Sequence, residues 1–246
     1  MCKYFGGKIR IGKEISKRIN EVELEINGKH NDKYFEPFMG MAGVFRHIIG
    51  TRRECIGCDN NEDLMIMWKS IKNGWTPPRH VSREKHLELK NGESSALRTF
   101  VGFGCSFMGI FFSGFSDTSL QSYNQIMSIS ENIMSKNVSF IDHSDYRKHD
   151  PINMTIYCDP PYIESCKSNE MVKHFQKFDH DVFWETMRKW SKYNIVFVSE
   201  TCAPNDFVCI WEKIVGRNFY KDSGFYGEKN GRYERLFCHE SYNIKK

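Results

Sequence analysis

No run of this sequence stays apolar for the roughly 18 residues that a membrane-crossing helix needs. Around Ile110-Phe111-Phe112 the apolar stretch is closed by Ser113-Gly114. The first residues, Met1-Cys2-Lys3-Tyr4, hold no apolar signal core. A cytoplasmic or nuclear address is therefore expected, with no membrane partner. Proline is scarce, 7 of 246 residues, and neither proline nor the 18 glycines recur at a fixed period. Together with 40% hydrophobic residues, this excludes collagen-like, low-complexity and wholly disordered chains. Metal-ligand spacing is missing too. Cys55-Ile56-Gly57-Cys58 has no second pair to complete a zinc site, and the histidines show no HxxxH with a third ligand, so no metal is expected. Nine cysteines, an odd number in a chain too long to need disulfide staples, read as free thiols, with Cys55 and Cys58 as buried strand residues. The histidines read as surface or capping residues. No GxGxxG or GxxxxGK[ST] phosphate loop is present.

An excess of one charge sign is nearly absent, with 35 Lys and Arg against 31 Asp and Glu, until it is located. Residues 69–98 hold Lys69, Lys72, Arg79, Arg83, Lys85, Lys90 and Arg98 against Glu84, Glu88 and Glu93. That stretch carries the whole net charge of +4. A local excess of this kind suits an element that follows phosphates, as well as an ordinary solvated surface.

The remaining pattern is an alternation of β and α units. Ile15, Ile19 and Val22 at helical spacing predict an amphipathic helix from Ile11 to Ile26, stopped by Asn27-Gly28. Tyr34 to Phe38 predicts a strand running into a glycine turn, with a helix over Val44 to Ile49. Cys55 to Cys58 predicts a second strand, followed by a helix with Leu64, Met67, Trp68 and Ile71 on one face. The rhythm breaks between 71 and 136, where Thr76-Pro77-Pro78 interrupts and six Phe fall between Phe100 and Phe115. It resumes with strands at Val138 to Ile141, Met154 to Cys158 and Ile195 to Val198, and a helix from Asp179 to Tyr193. Phe207 to Val215 and Arg235 to Cys238 are expected to close the sheet as an antiparallel pair. The predicted fold is α/β, a mainly parallel Rossmann-like sheet formed by 1–70 and 137–246, with 71–136 inserted.

Two motifs carry chemistry. Cys158-Asp159-Pro160-Pro161-Tyr162 directly follows a predicted strand, at the sheet edge where open α/β folds bind ligands. The prolines fix a carboxylate and a carbonyl side by side, both acceptors, next to an aromatic ring. An exocyclic amino group on a planar base needs those partners: two hydrogen bonds from the NH2 to Asp159 and the Pro160 carbonyl favour its nucleophilic geometry. Tyr162 is expected to stack on the extruded base. Upstream, Glu36-Pro37-Phe38-Met39-Gly40-Met41-Ala42-Gly43 joins a strand to a helix, and Asp59 ends the next strand. Glycine there lets the backbone approach a nucleoside, and the acid accepts from ribose hydroxyls.

With these motifs in this order, the chain resembles the Dam-type (D12 class, α group) DNA adenine-N6 methyltransferases, and Ser106 to Ser116 also resembles phage and viral members of that family. Lys3-Tyr4-Phe5-Gly6-Gly7-Lys8 looks like the family's N-terminal motif, Glu36 to Gly43 like its glycine loop, Asp59-Asn60 like its ribose acid and Asp159 to Tyr162 like its catalytic motif. The resemblance implies S-adenosyl-L-methionine as cofactor, held by Tyr4, Lys8, Phe38, Gly40, Asp59 and Asp159, with Asp145-Tyr146 beside its adenine. It implies methyl transfer to a flipped-out adenine of double-stranded DNA by a monomer or weak dimer, as in restriction-modification or viral genome marking. The insertion is then the target-recognition region, with Arg79, Arg83 and Lys85 on phosphates and Phe111 and Ser113 near bases, while a small satellite core is the other reading of its phenylalanines. N4-cytosine or RNA adenine methylation would use similar geometry. From another class, a DNA-binding relic without transfer is the alternative. The sequence departs from the family at Ala42, which stands where a second glycine is usual. The loop is expected to be shifted by one residue or to tolerate the methyl.

Overall fold

The computed structural model describes residues 7–48, 53–162, 178–215 and 232–244. The chain divides into two compact units, 1–150 and 151–246.

In the first unit, helix α1 (Gly12–Asn27) buries Ile15, Ile19 and Val22 completely, as their spacing predicts. Gly28 ends it at φ 67°, its N–H bonding Leu24 O at 2.9 Å, the left-handed stop that glycine adopts without a Cβ clash. Strands β1 (Lys33–Glu36), β2 (Glu54–Gly57) and β3 (Asn137–Phe140) run parallel in the spatial order β3-β2-β1. A buried ion pair joins α1 to the entry of β2. Glu23 is fully buried, and its carboxylate accepts from Arg53 Nη1 at 3.0 Å and Nη2 at 2.5 Å. The Asn31 N–H adds a further bond at 2.8 Å, so the buried Glu23 carboxylate accepts at both oxygens, while Arg53 Nε has no hydrogen-bond partner among the described residues.

The helix predicted over Val44 to Ile49 is instead a single 3-10 turn, Phe45–His47. The apolar residues Val44, Phe45 and Ile48 are buried by packing rather than by helical periodicity. Helix α2 (Glu62–Lys72) starts from Asn61, whose side chain caps Leu64 N–H. It buries Leu64, Met67, Trp68 and Ile71 as expected. Within 71–136 the chain forms α3 (Arg83–Lys90), α4 (Ala96–Gly104) and α5 (Ser119–Met134), the first two capped by Ser82 and Ser95. Helix α4 packs on α2, α3 and α5.

In the second unit, β4 (Thr155–Cys158) and β5 (Ile195–Glu200) are parallel. Helix α6 (His180–Ser191) buries Phe183, Trp184, Met187 and Trp190. Strands β6 (Phe207–Val215) and β7 (Arg232–His239) form the antiparallel close, in the order β4-β5-β7-β6. The fold is mixed α/β with mostly parallel strands and an antiparallel C-terminal pair, as the alternation predicts. Among the described residues, no helix is long and apolar enough to cross a membrane.

Candidate functional site

Because β1, β2 and β3 are parallel, the chain segments that follow them leave from one edge, and hydrogen bonds tie those segments together. Met39 N–H bonds Cys58 O at 2.9 Å, and Ser144 N–H bonds Asp59 O at 3.1 Å. The Asp59 carboxylate accepts from Gly40 N–H through Oδ2 and from Asn61 N–H through Oδ1, each at 2.9 Å. Trp68 Nε1 donates to Gly40 O at 2.9 Å. Asp59 therefore holds both the glycine turn and the start of α2, and each oxygen of a carboxylate can accept more than one hydrogen bond. The rings of Phe38 and Tyr146 lie 5.2 Å apart across the same edge. The structure thus brings Phe38, Gly40, Asp59 and the Asp145-Tyr146 segment into one cluster.

The glycine turn is not shifted. Gly40 has φ 50° and Ala42 φ 55°, so alanine itself takes the left-handed conformation that a glycine would adopt there without a Cβ clash. Gly43 is required for a different reason: a Cβ there would come within 2.9 Å of Lys8 C and Ile9 N. At Gly12 a Cβ would overlap the Gly43 carbonyl. The segment holding Lys8, itself buried, therefore lies directly on the turn. Tyr4 falls outside the described residues.

Asp145 is used differently from Asp59. Its carboxylate takes the Arg147 N–H at 2.9 Å and the guanidinium at 2.9 and 2.6 Å, and this pairing holds it below the usual carboxylate range. That capping fixes buried Tyr146 against Phe38. Cys58 is no nucleophile here, since burial and the nearby Asp59 push its thiol up to about 11. Seven described cysteines are free thiols, with Cys55 and Cys58 buried as expected.

In the second unit, Asp159 and Pro161 are half-buried beyond the end of β4, and Pro160 is buried. Tyr162 is 5% exposed, and its hydroxyl donates to Glu234 Oε2 on β7 at 2.7 Å. Burial, with Asp159 and Glu234 nearby, raises the phenol well above its ordinary value. Sequence reasoning missed Glu234. Its partner lies 72 residues away, and only the alternation of β7 marks it as an inward position.

Within 71–136 and at its entry the basic residues divide into two sets. Lys69 binds Asp142, Lys72 donates to Val138 O at 2.7 Å, and Arg98 pairs with Asp63 at 2.5 Å while lying over Phe111 and Phe112. These hold the fold. Arg79 and Arg83 are exposed, stacked over Tyr123 and Phe115 at 5.0 and 5.6 Å, and Lys85 pairs with Glu88 at 2.7 Å. Phe100, Phe103 and Phe112 are buried and form the satellite core, one of the two readings of these phenylalanines, while Phe107 is 62% exposed. Half-buried Phe111 packs over Gly102 and 4.6 Å from the Phe103 ring. Exposed Ser113 donates to Phe107 O at 2.9 Å. His86, expected at the surface, is instead buried against Phe112 and Phe115, its Nε2 2.9 Å from Ser106 Oγ.

No curated protein matches this chain. Among solved structures, it is similar to TrmN from Thermus thermophilus, at 11% identity and TM-score 0.38, with 89% of this chain covered. It spans 47% of that chain's length, under half. It is also similar to the rRNA methyltransferase aviRa from Streptomyces viridochromogenes, at 9% identity and TM-score 0.42, covering 94% of this chain and 85% of that one. Residues 4–99, the span that holds Lys8, the glycine turn and Asp59, match the family model described as D12 class N6 adenine-specific DNA methyltransferase.

Proposed function

We propose that this protein is an S-adenosyl-L-methionine-dependent methyltransferase acting on the N6 amino group of adenine in double-stranded DNA. The observation that carries this reading is the edge cluster of the first unit, in which Asp59 holds a left-handed glycine turn beside the Phe38–Tyr146 pair. That set suits a nucleoside: a carboxylate whose oxygens each accept more than one hydrogen bond, a turn that admits close backbone approach, and aromatic faces. In this reading Asp59 accepts from the ribose hydroxyls, Phe38 and Tyr146 flank the adenine, and Lys8, Tyr4 and Gly40 line the remainder. Asp145 acts through Tyr146 by fixing the turn that carries it. The family-model match over 4–99 supports the assignment.

When bound, S-adenosyl-L-methionine supplies an electrophilic methyl on a sulfonium. Asp159 and the Pro160 carbonyl accept hydrogen bonds from the target amino group, turning its lone pair out of conjugation and holding it for in-line attack. Tyr162, anchored by Glu234, gives the base a fixed aromatic neighbour. Arg79, Arg83 and Lys85 contact phosphates, and Phe111 and Ser113 belong to the recognition segment.

The test is to incubate the chain with duplex DNA and methyl-labelled S-adenosyl-L-methionine, then identify the labelled nucleoside after digestion. N6-methyladenine is expected. Label in N4-methylcytosine, in RNA only, or nowhere overturns the assignment. Asp159→Ala is expected to lower turnover at least a hundredfold, the scale of lost transition-state hydrogen bonding, while DNA affinity stays within about twofold. Full activity in Asp159→Ala would remove the catalytic role from this motif.

A further inference from the structure

A second group of charges in the first unit takes no part in that chemistry. The 3-10 turn Phe45–His47 packs between α1 and α5. It gathers Lys13 from the first turn of α1, its own Arg46 and His47, and Lys136 from the entry to β3. Gly12 lies in backbone contact with Gly43 and Val44, which brings the first turn of α1 onto this segment. Lys136 Nζ is held over the turn by Arg46 O at 2.7 Å and Phe45 O at 3.4 Å. Arg46 Nε is buried and has no hydrogen-bond partner among the described residues. The charges acting on His47 are all positive, namely Arg46, Lys136 and Lys13, and with burial they pull its imidazole down to about 4. Glu36, the acid that acts on Lys136, is fully buried and accepts from the Tyr34 hydroxyl at 2.5 Å. Cations held together at this density repel one another, and an oxyanion that accepts from several of them relieves the repulsion.

We propose that Lys13, Arg46 and His47, backed by Lys136, form a phosphate-binding site at the amino edge of β3, where a phosphodiester of a nucleic-acid backbone docks. The phosphate chemistry follows from the cluster itself. The choice of nucleic acid as its source rests on the methyltransferase reading above. Lys136 enters β3 at its amino end, and none of the four residues belongs to the Asp59 cluster, so the site adds a contact separate from Arg79, Arg83 and Lys85.

Inorganic phosphate is the first probe, titrated at constant ionic strength while the His47 ring is followed by NMR. An anion beside the imidazole favours its charged form, so His47 is expected to titrate at least one unit higher in saturating phosphate, and Lys13→Gln and Arg46→Gln are expected to abolish the rise. Lys13 is exposed, so its variant keeps the test available if Arg46→Gln fails to fold. The second probe is non-specific duplex DNA. For each phosphate that a variant no longer neutralises, the log-log salt dependence is expected to flatten by about 0.9. A His47 response to phosphate with an unchanged DNA slope supports the phosphate site and overturns nucleic acid as its source. No His47 response to either probe overturns the site. S-adenosyl-L-methionine affinity, measured on the same variants, is expected to be unchanged. Failure of the unmodified protein to bind it would overturn the methyltransferase reading while leaving the phosphate result standing.

Discussion

Asp59 holds the glycine turn with one carboxylate oxygen and the start of α2 with the other. Its oxygens hold Gly40 and Asn61, so Asp59→Ala removes an N–H partner from the glycine turn as well as the proposed ribose acceptor. Charged hydrogen bonds of this kind are worth about 1.5 to 3 kcal/mol each. Calorimetry is expected to show S-adenosyl-L-methionine bound roughly tenfold to a hundredfold more weakly. Equal affinity in the variant would place the nucleoside elsewhere. Ala42 offers the opposite kind of test. A left-handed non-glycine residue costs about 1 to 2 kcal/mol, whereas introducing glycine costs about 0.5 to 1 kcal/mol in chain entropy. Ala42→Gly is therefore expected to leave stability unchanged or raise it by up to about 1 kcal/mol in urea unfolding, although Ala42 is fully buried. A loss above about 1 kcal/mol would mean that methyl packing, not backbone conformation, governs the position. Asp59 and the turn are legible in the sequence because they are close together and their residue types announce a backbone need. Glu234 and the buried Glu23–Arg53 pair are not, since acids and arginines are ordinarily exposed and only the fold reveals their partners 72 and 30 residues away.

Among the elements, the strands are legible because β-branched and aromatic runs end at recognisable turns, and β6 matches its predicted limits. The 3-10 turn is not, because four apolar residues in six fit a helix face equally well until packing decides. The segment 71–136 stands out by composition alone, and its helices show what composition hides: the same excess of Lys and Arg contains residues bonded inside the fold and residues left on its surface. Arg98 is mostly buried, bonded to Asp63 and to Leu89 O at 3.2 Å. Arg98→Ala is expected to cost about 3 kcal/mol of stability through the unpaired Asp63. Arg79, Arg83 and Lys85 lie on the outside of the same helical segment, and replacing all three with Ala is expected to leave the unfolding midpoint nearly unchanged. The triple variant is expected to flatten the salt dependence of DNA binding by about 0.9 for each phosphate it ceases to neutralise, without changing S-adenosyl-L-methionine affinity. An unaltered slope would move the DNA surface away from this segment.

For the molecule as a whole, the titratable groups set a stability maximum whose limits follow from the direction of their shifts. His47, His86, His149 and His180 are all held below the ordinary histidine value of 6.5, with burial the largest cause in each. Between 6.5 and each folded value the unfolded chain binds more protons than the folded one, so stability falls as the pH drops below 6.5. Asp145 and Asp206, lowered by Arg147 and Arg188, lose their contribution only further down, below the ordinary carboxylate value. On the alkaline side Cys58, raised to about 11, and Tyr242, raised to about 12, stay protonated in the fold while the unfolded chain ionises from 9.0 and 10.0 upward. Stability that is full below those values is lost as the pH rises through the folded ones. The urea midpoint is therefore expected to be highest between about pH 6.5 and 9 and to fall on both sides, the acid decline starting well above the range where carboxylates titrate. Replacing His47 with Gln removes a histidine pulled down to about 4, and is expected to make the decline from about pH 6.5 to 4.5 shallower. A midpoint that stays flat over that interval would show that the imidazoles are not held neutral by burial. An acid slope unchanged by the substitution would place the proton uptake on the other three.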